Sequence, residues 1–181
     1  MSDPKAGIYA SKLSRMIRME TVSSEHQKDK SKFYRFRELL AELFPHVFSV
    51  CELEDFDGSF LLHWKGEEEP ILMMNHHDVV EASGKWSHAP FSGRIADGKV
   101  WGRGAADTKG SLCAILFAAE DNVSHRKHDA KRNDETVPTH LKLAKQCKGN
   151  FVQLRFRDAK TGERNNCFFQ HNIFLSVRVP L

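Results

Sequence analysis

The feature that most constrains this chain is a short apolar run that ends in polar residues. Residues 71–74 read Ile-Leu-Met-Met, and His76, His77 and Asp78 follow almost at once. A continuous apolar run of this length is typical of a strand that is buried on both faces. We therefore expect a central strand of a sheet, with His76, His77 and Asp78 at its carboxyl end.

Side chains along a strand point alternately to its two sides, so the polar residues at this strand end face different sides. Side chains two residues apart on a strand point to the same side, so His76 and Asp78 face one site and His77 faces away. A neutral imidazole suits zinc, and a nearby carboxylate can orient the ring from behind. On its own, the pattern is more typical of a surface histidine beside an aspartate.

A second motif lies in the glycine-rich residues 102–110, which read GRGAADTKG and precede an apolar helical pattern. Glycines relax the backbone there, so the loop can present Asp107 towards His76. A carboxylate has two oxygens and can bridge two metal ions, the arrangement that activates water for attack on an amide carbonyl. Alternatively, Asp107 caps the helix that follows.

Hydrophobic periodicity predicts an α/β fold for the first two-thirds of the chain. Helical patterns cover residues 9–17, 31–44 and 110–120. Strand patterns cover residues 47–53, 60–64, 71–74, 91–95 and 99–101. This alternation predicts a mixed sheet flanked by helices.

The charge balance and the apolar periodicity of the sequence change after Glu120. Residues 1–120 hold 15 Lys and Arg against 18 Asp and Glu, whereas residues 121–181 hold 12 against 6. Apolar periodicity is lost there, apart from strand patterns at residues 151–157 and 172–179. We expect residues 1–120 to form one domain and residues 121–181 to be an irregular, poorly ordered basic tail outside its core. A charge excess alone does not indicate nucleic acid, and we expect none as a partner.

The sequence also predicts where the protein resides. The amino terminus has no apolar stretch behind a basic start, and no apolar run is long enough to cross a bilayer. We expect a soluble, cytoplasmic protein that does not bind membranes. The four cysteines are scattered singly, which favours reduced thiols over disulfides.

Taken together, the motifs within residues 71–120 resemble one enzyme family. The segments NHHDVV, KWSHAPFSG and IADGKVWGRGAADTKG, with the helix that follows, are similar to the zinc exopeptidases and deacylases. That family includes carboxypeptidase S, aminoacylase, glutamate carboxypeptidase and acetylornithine deacetylase. The amino-terminal helices and the Glu20-Thr21-Val22-Ser23 segment resemble the carboxypeptidase S branch, so the likeness covers about residues 6–120.

The resemblance implies roles for individual residues. It makes His76 a ligand of one zinc ion, Asp107 the bridge between two zinc ions, and Asp78 a catalytic residue that assists His76. It also implies a cis peptide bond between Asp107 and Thr108. The implied activity is that of a metallopeptidase, carboxypeptidase or amidohydrolase acting on a small peptide or an N-acyl amino acid.

The chain departs from the family pattern after Asp107. The family next presents two adjacent glutamates after a strand, of which the first is the general base. The acidic pairs here are Glu120-Asp121 and Asp134-Glu135, and no apolar strand precedes either. We therefore expect an incomplete catalytic domain from a truncated or frame-shifted relative, with impaired activity. The alternative is a non-catalytic fragment or interaction protein that keeps part of the fold, which leaves open whether the chain is an enzyme.

Overall fold

Helices and strands alternate along the chain, whose computed structural model describes residues 4–24, 28–65, 71–130 and 172–177. The helices of this part are α1 (Pro4–Arg18), α2 (Ser31–Leu43), α3 (Pro45–Val50) and α4 (Lys109–Ala130). Its strands are β1 (Cys51–Phe56), β2 (Ser59–Trp64), β3 (Ile71–His76), β4 (Arg94–Ala96), β5 (Lys99–Trp101) and β6 (Asn172–Val177). Within these ranges, no helix has both the length and the apolar composition to cross a bilayer.

The main sheet has the strand order β1-β2-β6-β3. β1 and β2 form an antiparallel hairpin whose turn contains Asp57 and Gly58, both at positive φ. β6 runs parallel to β2 and antiparallel to β3, so the sheet is mixed. The predicted α/β class with a mixed sheet and flanking helices is confirmed.

An apolar cluster of the described residues joins the four helices to one face of this sheet. The side chains that point into it from the sheet, Phe60, Leu62 and Leu175, lie on alternate positions of β2 and opposite them on β6. The helices contribute side chains that are equally buried: Met16, Ile17, Phe36, Leu40, Val47, Leu112 and Leu116. This cluster holds α1 and α4 against the strand end that carries His76.

The position of β3 differs from the prediction. Among the described strands it lies at the edge of the sheet, and Leu72 and Met74, on one of its faces, are each 50% exposed. Met73, on the other face, packs against the core. The expectation of a central strand buried on both faces is therefore wrong.

Three further expectations need correction. Residues 47–50 belong to α3, not to a strand, and the strand begins at Cys51. The helix expected to end at Glu120 continues to Ala130, and Val123 within it is buried. Leu175 is only 2% exposed and lies in the core, so residues 172–177 are not outside it. The strand predicted at residues 151–157 lies outside the described residues.

Candidate metal centre

His76 and Asp107 meet at the mouth of a cavity between the end of β3 and the loop before α4. The distance from His76 Nε2 to Asp107 Oδ1 is 3.3 Å. The cavity has a volume of about 360 Å³. Its walls include Ser23, His76, Asp78, Val79, Arg103 and Asp107. The strand end and the glycine-rich loop predicted to converge therefore do so.

Contacts on the inner side of His76 fix the orientation of its ring. Nδ1 lies 3.0 Å from the backbone oxygen of Asp78 and 3.3 Å from its carboxylate Oδ1. Two acceptors beside Nδ1 favour a proton on that nitrogen, which leaves Nε2 as the ring atom that faces Asp107 across the cavity. Burial disfavours the charged ring, but the contacts with Asp78 and Asp107 outweigh it and raise the pKa of His76.

Asp78 is itself held by the loop that follows α1. Asp78 is 4% exposed, and Ser23 Oγ donates to its Oδ2 at 2.7 Å. Burial favours the neutral acid, yet the bonds from His76 and Ser23 prevail and lower the pKa of Asp78. The backbone N–H of Ser23 donates to Val79 O at 3.0 Å, and that of Val79 donates to Thr21 O at 2.9 Å. Ser23 is a site residue that sequence reasoning missed, since its segment was used only for the resemblance to the carboxypeptidase S branch and not as part of the site.

His77 points away from the cavity, as the alternation predicted. Its side chain is fully buried among Phe33, Phe36 and Phe60, and its ring stacks on Phe36 with centroids 5.3 Å apart. Its Nε2 lies 3.1 Å from Gly58 O in the β1–β2 turn. His77 is therefore a core residue that ties the hairpin to the end of β3.

The loop that carries Asp107 is anchored to β3 by the residue that follows it. Thr108 Oγ1 donates to the backbone oxygen of His76 at 2.7 Å. The peptide bond between Asp107 and Thr108 is cis, which confirms the expectation drawn from the resemblance. The Asp107 side chain is 78% exposed and faces His76. Among the hydrogen bonds of the described residues, no N–H of α4 donates to it, so the helix-cap alternative is not supported.

Lys109, two residues beyond Asp107, is fully buried beneath the site. Its Nζ donates to the backbone oxygens of Met16 and Met19, at 3.0 and 2.7 Å, at the carboxyl end of α1. Burial lowers its pKa to about 7, and the charge of Asp78 opposes that shift. The sequence motif contained Lys109, but nothing in its pattern indicated burial.

Arg103 forms part of the cavity wall. Its guanidinium carbon lies 4.9 Å from the centroid of the Trp86 ring, and its Nη2 donates to Glu81 O at 3.1 Å. Its Nε is buried and has no hydrogen-bond partner among the described residues. Arg103 therefore brings a positive charge to the cavity wall.

The described residues offer no further metal ligands at this site. Within them, no group of three or more His, Cys, Asp or Glu side chains converges. Glu120 accepts bonds from the backbone N–H groups of His46 and Val47, at 3.1 and 2.9 Å, and Asp121 pairs with Lys5 at 2.7 Å. The pair Glu120-Asp121 is therefore engaged elsewhere, and Asp134-Glu135 lies outside the described residues.

Comparison with known proteins identifies relatives of this segment. Residues 72–132 match the model of Peptidase family M20/M25/M40. The chain is 38% identical over 125 residues to the probable carboxypeptidase S-like 2 of Dictyostelium discoideum. That alignment covers 64% of this chain and 24% of the relative, so the chain spans about a quarter of the relative's length.

A solved structure is also similar. The M20 family metallo-carboxypeptidase of Sulfolobus solfataricus gives a TM-score of 0.45 at 18% identity, covering 98% of this chain and 31% of that one. The family match and the carboxypeptidase S-like relative confirm the resemblance over part of the chain: residues 72–132 are similar to Peptidase family M20/M25/M40.

Proposed function

We propose that this chain provides the histidine and bridging-aspartate side of a two-zinc site in a hydrolase of amide bonds. In the following we call His76 and Asp107, with Asp78 behind them, the half-site. The observation that carries the proposal is the 3.3 Å separation of His76 Nε2 and Asp107 Oδ1 across the cavity mouth. The family match of residues 72–132 supports the reaction class.

The two donors suit zinc in kind and in spacing. Imidazole nitrogen and carboxylate oxygen are both ordinary zinc ligands. Two ligands bound at about 2.0–2.2 Å to one tetrahedral ion lie roughly 3.3–3.6 Å apart. The observed separation of 3.3 Å is in that range. The half-site therefore fits one side of a zinc centre.

Each residue of the half-site has a distinct task. His76 Nε2 would hold one ion, the exposed carboxylate of Asp107 would be shared with a second ion, and Asp78 fixes the ring of His76 through Nδ1. When bound, paired zinc ions polarise the scissile carbonyl and acidify a water molecule. Arg103 offers N–H donors at the cavity wall for the carboxylate of a small peptide or N-acyl amino acid.

We propose further that hydrolysis by the chain alone is impaired. Catalytic zinc sites use three protein ligands and an open position. The described residues bring only two such ligands together, His76 and Asp107. Among the described residues, the carboxylates that line the cavity are Asp78 and Asp107, and both already have roles in the half-site. Absence of a positioned general base costs a reaction on the order of a hundredfold to ten-thousandfold.

Zinc titration of the purified chain tests the half-site. We expect the His76→Ala and Asp107→Ala variants each to bind zinc at least about tenfold more weakly, because loss of a supporting residue already has that effect. His88→Ala is the matched control, since His88 packs against Trp101 and does not line the cavity. Equal zinc affinity in His76→Ala and wild type contradicts the half-site.

A hydrolysis assay tests the proposal that hydrolysis by the chain alone is impaired. The zinc-loaded chain is incubated with N-acyl amino acids and dipeptides, and release of the free amino acid is measured. We expect turnover at least about a hundredfold below the usual range of about 1–1000 per second. Turnover within that range supports the hydrolase and contradicts impairment.

The alternative function is that of a non-catalytic interaction protein that keeps part of the fold. It is favoured by the same shortage of ligands among the described residues. It predicts a folded chain with no zinc-dependent hydrolysis at all, even at high enzyme concentration. A frame-shifted origin is tested by translating the coding DNA in the other two frames beyond codon 120. The absence of a Glu-Glu strand in both frames argues against that origin.

A further inference from the structure

Residues 21–23, in the loop that follows α1, run alongside the backbone that follows β3. Val79 N–H donates to Thr21 O at 2.9 Å, and Ser23 N–H donates to Val79 O at 3.0 Å. These two bonds form the parallel bridge between Val22 and Val79. We call residues 21–23 the clasp. The clasp fixes the backbone just beyond β3 from a part of the chain more than 50 residues away.

The side chains of the clasp add two hydrogen bonds of their own. Thr21 is 0% exposed, and its Oγ1 donates to His77 O at 2.6 Å. Ser23 Oγ donates to Oδ2 of Asp78 at 2.7 Å. Buried backbone and carboxylate oxygens need donors, and a hydroxyl group supplies one in each case. His77, Asp78 and Val79 are thus each bonded to the clasp.

One peptide group connects the clasp to the ring of His76. The carbonyl of Asp78 and the N–H of Val79 belong to the same planar peptide unit. The N–H of this unit donates to Thr21 O at 2.9 Å, and its oxygen lies 3.0 Å from Nδ1 of His76. Hydrogen bonds that are linked in this way polarise and strengthen one another. Thr21 therefore holds in place the backbone oxygen beside the ring of His76.

The carboxylate of Asp78 connects the clasp to the same ring nitrogen. Ser23 holds Oδ2, while Oδ1 lies 3.3 Å from Nδ1 of His76. Asp78 is 4% exposed, so little water can take the place of a donor that is lost. Removal of one partner from a buried acceptor is costly for that reason. Nδ1 of His76 therefore faces two acceptors, and the clasp fixes both.

We propose that Thr21 and Ser23 are positioning residues of the half-site, which fix the ring of His76 through the Asp78–Val79 peptide and the Asp78 carboxylate. This inference rests on the proposed function, because it concerns how the half-site is preorganised before zinc binds. It predicts that loss of either hydroxyl weakens zinc binding, although both hydroxyls donate to protein oxygens. It also predicts that the ring of His76 changes its tautomer preference in the metal-free chain.

Ser14 provides a matched control for Ser23. It is 3% exposed, and its Oγ donates to Gly93 O at 2.5 Å, which lies 79 residues further along the chain. Ser14 does not line the cavity that holds His76. Ser14→Ala therefore removes a long-range hydroxyl bond of the same kind, away from the half-site. Ser23→Thr keeps the hydroxyl group and is expected to preserve zinc binding.

The first measurement is the zinc affinity of the full chain at neutral pH, by competition with a chromophoric chelator. We expect Ser23→Ala and Thr21→Val each to weaken binding about 3- to 10-fold, the worth of one hydrogen bond. Ser14→Ala and Ser23→Thr should change it less than about twofold. Asp78→Ala should cost about 10- to 100-fold. In that background Ser23→Ala should add less than about twofold, because its acceptor is gone.

The second measurement does not depend on zinc. Nitrogen-15 NMR of the metal-free chain, at a pH where the ring of His76 is neutral, gives the ratio of its Nδ1–H and Nε2–H tautomers. We expect Nδ1–H to predominate in wild type and the ratio to fall about 3- to 10-fold in Ser23→Ala. Ser14→Ala should change the ratio less than about twofold. Circular dichroism shows whether each variant is folded, and Ser23→Ala carries the test if Thr21→Val does not fold.

The two measurements separate failure of this role from failure of the half-site. An unchanged tautomer ratio in Ser23→Ala, or a loss of zinc affinity no larger than in Ser14→Ala, overturns the positioning role. A wild-type chain that binds no zinc overturns the half-site. In that case, a tautomer ratio that still falls in Ser23→Ala supports the clasp as the element that orients the ring of His76.

Discussion

Gly102 is a residue of the site loop at which there is no room for a side chain. Its φ is 151°, and a Cβ added there lies 2.4 Å from Ile17 Cγ2 and 2.7 Å from Pro90 O. We expect Gly102→Ala to lower the free energy of unfolding by roughly 2–5 kcal/mol, because it combines backbone strain with overpacking. Urea denaturation followed by circular dichroism measures this change.

Gly98→Ala separates the two contributions. Gly98 also has a positive φ, 69°, but a Cβ there has nothing within 4 Å. Only the backbone cost applies, which is about 1–2 kcal/mol. Equal losses in the two variants contradict the tight contact of Gly102 with Ile17 and Pro90.

The thiols of Cys51 and Cys113 are expected to be inert. Burial raises the pKa of Cys51 to about 11 and that of Cys113 to about 12. A higher pKa leaves less thiolate at any pH below it, so near neutral pH Cys51 has about a hundredfold less thiolate than an ordinary cysteine. We expect iodoacetamide to label both residues at least about a hundredfold more slowly in the native chain than in urea, as followed by peptide mass spectrometry. Native labelling of Cys113 at the urea rate contradicts its burial.

At the scale of single residues, the sequence predicted the orientation of side chains where that orientation depends only on local backbone geometry. Alternation along a strand placed His76 towards the cavity and His77 in the core. It could not show Ser23 or Lys109, because their partners Asp78 and Met16 lie 55 and 93 residues away along the chain. Such contacts depend on how elements pack, and a single sequence contains no local signal for them.

Among the elements, α3 shows how a tertiary contact overrides strand propensity. Residues 47–50 read Val-Phe-Ser-Val, a pattern that favours a strand, yet they are helical. Pro45 occupies the first turn, where its missing N–H has no cost, and Glu120 of α4 accepts bonds from the N–H groups of His46 and Val47. The carboxylate that caps α3 thus comes from a helix 73 residues further along the chain.

Glu120→Ala and Asp121→Ala test this cap with two neighbouring carboxylates. Loss of a cap costs about 0.5–2 kcal/mol, and we expect Glu120→Ala to lower the free energy of unfolding by that amount. Asp121 and Lys5 form an exposed pair, so Asp121→Ala is expected to cost about 0.5 kcal/mol or less. Urea titration compares them. A larger loss in Asp121→Ala contradicts the assigned cap.

β3 shows that an apolar sequence pattern can predict a strand without predicting how deeply the strand is buried. The run at residues 71–74 predicted a strand correctly, but not how many of its faces are covered. Met73 packs on the core, whereas Leu72 and Met74 lie on the face opposite the helices. Periodicity reports the polarity of side chains, whereas burial also depends on what the rest of the molecule places against them.

For the whole molecule, the main question is whether the chain divides at residue 120. The division into residues 1–120 and 121–181 remains a prediction. β6 pairs with both β2 and β3, and Leu175 contributes to the core that also contains Leu62. β2 and β6 pair in parallel although they lie more than 100 residues apart along the chain. No turn or local sequence pattern indicates such a pairing, so sequence reasoning assigned β6 to an independent tail.

Leu175→Ala tests the division directly. If β6 belongs to the cooperative core, deletion of a fully buried leucine side chain lowers the free energy of unfolding by about 2–5 kcal/mol. Leu53→Ala on β1 is the control, because Leu53 is 42% exposed and about 1 kcal/mol is expected for it. Since β6 lies between β2 and β3, Leu175→Ala should also speed the hydrogen exchange of the β3 amides that precede His76. If neither quantity changes in Leu175→Ala, β6 does not stabilise the sheet, and the half-site depends only on residues before the tail.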